Sequence, residues 1–179
     1  MTPHMLLPLC LALLFWGCQP KDPLPRATRF GANTFGCKIN GKTYIPDGGG
    51  SFSGIKPIYG GFYWVQSNPV KRGIYIQTSE PSGQVLNLFI ADYRPGVYEL
   101  NETTRPLTQN LQNFGFYQNG KGGIAYITST DCIGSVKINK ADTLSGIVSS
   151  TFSLSPCSTI PGPGQTIGIT EGRFDIGSR

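Results

Sequence analysis

The stretch that decides the fold is Gly134 to Ser155, GSVKINKADTLSGIVSSTFSLS. In its second half Leu144, Gly146, Val148, Ser150, Phe152 and Leu154 share one parity. Ser145, Ile147, Ser149, Thr151 and Ser153 share the other. Successive side chains of a strand point to opposite faces, so this alternation describes a strand with one buried and one solvated face. The first half, GSVKINK, alternates in the same way. The two halves read as a hairpin that turns near Ala141-Asp142.

Working outward, the same grammar repeats. TFGCKIN-GK-TYIP carries Asn40-Gly41 between two short strands, a two-residue hairpin signal. Gly48 to Gly54, GGGSFSG, reads as a loop. GGFYWVQS and RGIYIQTS are strands separated by NPVK with Pro69. QVLNLFIAD and GVYEL follow, and FGFYQNGKGGIAYITS reads as a hairpin around Asn119-Gly120-Lys121. Pro161-Gly162-Pro163-Gly164 forces a loop.

In TIGITEGRFDIGS, Ile167 and Ile169 are odd while Phe174 and Ile176 are even. One strand buries both pairs only with an extra residue, for which Gly172 is the natural place; the alternative is two shorter strands. No helical periodicity follows the N-terminal segment. The expectation is an all-β fold: an antiparallel β-sandwich of about nine or ten short strands, with a closed up-and-down, calycin-like β-barrel as the alternative.

Composition agrees. Of 179 residues only 14% are charged, while Gly (24) and Pro (14) are frequent, so strands and turns dominate. The length suits one domain with a sizeable core. Net charge is +5, but the bases are scattered and only Lys71-Arg72 are adjacent. Without a basic run or basic helix, nucleic-acid binding is not indicated.

The N-terminus reports on location. Met5 to Trp16 is almost wholly apolar, too short for a spanning helix of about 20 residues, and it ends at Gly17-Cys18. Leu14-Phe15-Trp16-Gly17-Cys18 resembles the lipobox of bacterial lipoproteins. That resemblance implies cleavage before Cys18 and lipidation of Cys18, and acyl chains buried at about 0.8 kcal/mol per CH₂ give durable anchoring. Residues 1–17 are then a signal peptide, 18–32 a lipidated Cys with a Pro-rich tether, and 33–179 one β-domain. The expected address is the cell envelope, on the periplasmic or the surface face of the outer membrane, through the lipid anchor.

Three cysteines remain beyond Cys18. Cys37 alternates with Phe35 and Ile39, on an apolar strand face. Cys132 and Cys157 lie in loop-like sequence, STDCIGS and SPCSTIPGPG. A 132–157 disulfide is expected in an oxidising compartment, against the alternative of three reduced thiols. No CxxC supports a zinc site.

TFGCKINGKTYIP, GSVKINKADTLSGIVSSTFSLS and ITEGRFDI, in this order, resemble an uncharacterised group of Bacteroidetes lipoproteins that open on Thr-Phe-x-Cys-x-x-Asn-Gly and end in Gly-Arg-Phe-Asp. The resemblance spans roughly Asn33 to Ile176. It implies an all-β envelope lipoprotein and brings no activity, since fold alone supplies none.

The one histidine, His4, lies inside the apolar leader, so the chain from Cys18 onward has none. Histidine-based triads and metal sites in their usual forms are thereby excluded. No D-x-D-x-D-G loop offers a calcium site. The ten acids show no marked pairing for glycoside hydrolysis, and Glu171, Arg173 and Asp175 read as a charge ladder on a solvent face. Expected are no enzyme activity, no cofactor and no metal.

Aromatics are the remaining signal. YGGFYWVQS puts Phe62 and Trp64 on one face and Tyr63 with Val65 on the other; QNFGFYQNGK sets Phe114 and Phe116 opposite Tyr117. Tyr59, Tyr63, Trp64 and Tyr117 are the candidate ligand-binding residues, for a glycan or an envelope-protein partner. The alternative is a structural or assembly accessory without a small ligand.

Overall fold

A computed structural model describes residues 23–48, 54, 56–65, 71–102, 112–160 and 165–177. The expected signal segment, Cys18, most of the GGGSFSG loop, the NPVK turn and the Pro-Gly-Pro-Gly loop lie outside the described residues. Among these residues there is no helix.

Twelve strands form two antiparallel six-stranded sheets. One sheet contains β1 (Thr34–Ile39), β2 (Lys42–Tyr44), β6 (Gly96–Leu100), β9 (Gly134–Asp142), β10 (Ile147–Leu154) and β12 (Ile169–Gly177), in the order β2-β1-β12-β10-β9-β6. The other contains β3 (Ile58–Val65), β4 (Lys71–Thr78), β5 (Val85–Ile90), β7 (Phe114–Gln118), β8 (Ala125–Ile127) and β11 (Cys157–Ser158), in the order β11-β8-β7-β5-β4-β3. Each sheet keeps two edges, so the fold is a sandwich and not the closed barrel. The count exceeds the expected nine or ten partly through β11, two residues that pair with β8 out of loop-like sequence.

Alternation positions the core. Phe35, Ile138, Val148, Phe152, Phe174 and Ile176 of the first sheet meet Ile74, Ile76, Leu86, Leu88 and Ile90 of the second. Each such side chain contributes about 1.5–3 kcal/mol by leaving water. Two threonines are exceptions with partners. Thr78 Oγ1 accepts from the Leu86 N–H at 2.8 Å and lies 2.9 Å from the Tyr44 hydroxyl. Thr128 Oγ1 accepts from the Gly115 N–H at 2.9 Å and donates to the Glu102 carbonyl at 3.1 Å.

The Asn40-Gly41 hairpin is as expected: Ile39 pairs with Lys42, and both turn residues have positive φ, 47° and 78°. The turn of the deciding hairpin differs. It falls at residues 143–146, because the Asp142 carboxylate accepts the N–H groups of Leu144 and Ser145, each at 3.1 Å. Leu144, expected on the buried strand face, is therefore fully exposed at 100%.

The last segment is one strand with a bulge. Phe152 pairs with Gly172 and Leu154 with Ile169, so two residues of β12 stand across from Ser153 alone. Glu171 takes the left-handed conformation, φ 53°, one residue before the expected glycine. Gly172 matters for another reason: a Cβ there would lie 2.3 Å from Phe152 Cε2.

The expected charge ladder leaves the solvent at its last member. Glu171, Arg173 and Asp175 keep one parity beyond the bulge, but Asp175 is buried and not on a solvent face. Its carboxylate accepts Thr28 Oγ1 at 2.6 Å and the backbone N–H groups of Phe30, Gly31 and Ala32 at 3.0–3.1 Å. Burial alone would raise its pKa; the Thr28 hydroxyl and the three N–H groups outweigh that and hold the carboxyl below its ordinary value. Leu24 is buried, and Gly36 leaves room for Leu24 and Pro25. Among the described residues, packing is thus already present at Leu24, ahead of the expected boundary at 33, as a strap across the outer face of the first sheet.

Candidate functional site

The four candidate aromatics separate into three places. Tyr59 and Tyr63 (64% and 46% exposed) share the outer face of β3. Trp64, 47% exposed, has the opposite parity. Tyr117 is in the core at 4% exposure, so the expectation that it joins an exposed binding set is corrected. Its strand pairs with β5 and β8 on both sides, and its ring packs on Tyr126 at 6.1 Å while its hydroxyl accepts from Gln84 Nε2 at 2.9 Å.

The outer face of the second sheet carries a run of aromatic residues. Tyr63 stands across from Gly73, Tyr75 from Phe89, and Phe89 from Phe114. Tyr63 meets Phe89 edge-on at 5.9 Å (82°), and Phe89 stacks on Phe114 at 5.6 Å (12°). These geometries are favourable for aromatic pairs. Phe89 and Phe114 are buried yet stand outside the main core. They form a floor, with Tyr59 and Tyr63 as exposed rims.

Polar groups are set into that face. Tyr75 Oη donates to Gln77 Oε1 at 2.7 Å, and burial pushes the Tyr75 phenol up. Asn87 pairs across to Gln77 and Phe116, and its buried Oδ1 has no hydrogen-bond partner among the described residues.

On the other parity, Trp64 pairs with Arg72 across β3 and β4. Arg72 Cζ lies 4.6 Å from the Trp64 ring and 5.7 Å from the Tyr93 ring. Arg72, Ala91, Asp92, Tyr93 and Arg94 line a shallow pocket of about 450 Å³. Sequence reasoning missed Arg72 and Tyr93. Folding YWVQSNPVKRG back on itself sets Trp64 against Arg72, so the first was readable. Tyr93 comes from the β5–β6 connection, which no strand pattern places.

The cysteines are settled by position. Cys132 and Cys157 form a disulfide, Cα to Cα 5.7 Å, which ties the approach to β9 onto β11. Cys37 is free and buried, and burial pushes its thiol up to about 12, so it is no nucleophile. Among the described residues no three His, Cys, Asp or Glu side chains come together to hold a metal, and no helix is long and apolar enough to cross a membrane. Cys18 lies outside the described residues.

The fold and these surfaces define the class: a two-sheet all-β sandwich with an aromatic outer face. No protein-family model matches the chain, and neither a curated protein nor a solved structure matches it.

Proposed function

We propose that the chain is a lipid-anchored cell-envelope β-domain that binds a ligand, a glycan or an envelope protein, through the outer face of β3–β5. The observation that carries this reading is the exposed pair Tyr59 and Tyr63 on the outer face of β3, with Tyr63 backed by the buried Phe89–Phe114 stack. The chemistry of the acids favours binding over hydrolysis. Asp92 is tied to Arg94, Asp142 caps a turn, Asp175 holds the strap and Glu171 pairs with Lys38 at 2.6 Å.

Anchorage rests on LFWGC and on the likeness to Bacteroidetes lipoproteins. With the strap packed from Leu24, Cys18 to Pro23 is five chain steps, about 18 Å when extended. The domain then sits close to its membrane. Labelled palmitate fed to expressing cells is expected to enter the protein and to be absent from Cys18→Ser; equal labelling of both contradicts the anchor. Co-sedimentation with insoluble polysaccharides and envelope fractions tests the binding face. Replacing Tyr59 and Tyr63 by Ser is expected to cut the bound fraction several-fold.

One observation favours a second reading, the accessory without a small ligand. The edge strand β3, IYGGFYWV, has no charge, no proline and no bulge to guard it. Such an edge accepts an added strand from a partner protein.

A further inference from the structure

Arg72 is a cation set against two aromatic rings. Its guanidinium lies on Trp64 and beside Tyr93, whose rings are 6.5 Å apart. A guanidinium over a ring is attracted by the π face as a cation, which leaves its five N–H donors to serve other partners. Among the described residues none of those donors has a hydrogen-bond or ion-pair partner. The nearby carboxylate does not fill the gap. Asp92 accepts Arg94 Nε at 3.1 Å and Nη2 at 2.6 Å, along with the N–H groups of Tyr93 at 2.6 Å and Arg94 at 3.1 Å. These bonds, the Arg94 side chain first, hold Asp92 below its ordinary carboxylate range. The pocket of about 450 Å³ therefore has two guanidinium groups and one fully engaged carboxylate on its walls.

We propose that Trp64, Arg72 and Tyr93 form a binding site for a sugar that carries an acidic group, a carboxylate or a phosphate. The planar fork of Arg72 matches the two oxygens of such a group, and charge-assisted bonds of this kind are about twice as strong as neutral ones. Trp64 is half open, and its indole offers a flat apolar surface for the C–H face of a sugar ring. An acidic peptide would use the charge and leave the indole idle. The rings also fix the Arg72 rotamer before the ligand arrives, which lowers the ordering cost of binding. This site faces away from the Tyr59–Tyr63 surface, so it goes beyond the reading above and stands or falls without it.

The test is calorimetric titration of the purified protein with four probes: oligogalacturonate, glucose 6-phosphate, uncharged maltohexaose and polyglutamate. Binding of oligogalacturonate assigns the carboxylate as the acidic group, and binding of glucose 6-phosphate assigns the phosphate. Maltohexaose and polyglutamate are expected to bind at least tenfold more weakly than the better acidic sugar. Arg72→Gln is expected to weaken that sugar at least tenfold with an unchanged melting temperature, and Trp64→Ala to weaken it as well. If Arg72→Gln melts early, Arg72→Lys keeps charge and stem but loses the fork, and must still bind less tightly. Added salt must weaken binding. No binding by either acidic sugar, equal binding by polyglutamate, or undiminished binding by both Arg72 variants overturns the proposal.

Discussion

Asp175 on the last strand holds Thr28 of the N-terminal strap through a 2.6 Å hydrogen bond to its Oδ2, across 147 residues of chain. The same carboxylate collects three successive backbone N–H groups, a concave nest that suits an anion. Asp175→Ala is expected to destabilise the protein by about 3 kcal/mol, since hydrogen bonds to charged groups are worth about 1.5–3 kcal/mol each and their loss overlaps. Chemical denaturation measures the loss. Trypsin is expected to cut after Arg26 and Arg29 in the variant well before it cuts the native chain, and equal cutting would deny the strap.

The pH dependence follows from the lowered Asp175 pKa. A carboxyl with a folded pKa below its unfolded value of about 3.9 adds stability that is fully present above that value and is lost as pH falls through the folded one. Stability is therefore expected to drop below about pH 4, and less steeply in Asp175→Asn. Parallel pH profiles of the two proteins would contradict this.

Two buried polar atoms, Ser149 Oγ and Asn87 Oδ1, have no partner among the described residues. A buried hydroxyl without a partner costs free energy and returns none. Ser149→Ala is expected to be neutral or stabilising by up to about 1 kcal/mol. The contrast is Thr128→Val, which strips the Gly115 N–H of its acceptor and is expected to cost about 1–3 kcal/mol. Denaturation midpoints compare the pair; a large loss on Ser149→Ala would refute the assignment.

Gly172→Ala places a Cβ 2.3 Å from Phe152 Cε2. Overpacking of this kind costs about 1–3 kcal/mol. The loss is expected to shrink when Phe152→Leu is combined with it, because the neighbour then has less volume to displace. Additive losses in a double-mutant cycle would show that the two positions are not in contact.

Alternation in a chain of short strands makes the sandwich legible in the sequence. Val148, Phe152, Leu154, Phe174 and Ile176 are all on the buried side that their parity assigns. Parity misplaces a residue where a side chain reaches back to the backbone. Asp142 caps its own turn and so displaces Leu144 from the strand. Asp175 looks like a surface acid until the strap, which carries no strand pattern, folds over it. Strand parity does not say which face of β7 looks inward, and Tyr117 is buried between its partners on β5 and β8. The site on Arg72 needed pairing between strands, and Tyr93 needed the course of a loop.

The central claim, that the outer face of β3–β5 binds a ligand, is tested most directly by a thermal-shift screen against glycans and envelope peptides. A ligand that binds only the folded state raises stability by RT ln(1 + [L]/Kd). The account predicts a dose-dependent rise in Tm with at least one member, lost when Tyr59 and Tyr63 are replaced by Ser. No rise across the panel, or rises that all survive those replacements, would contradict it.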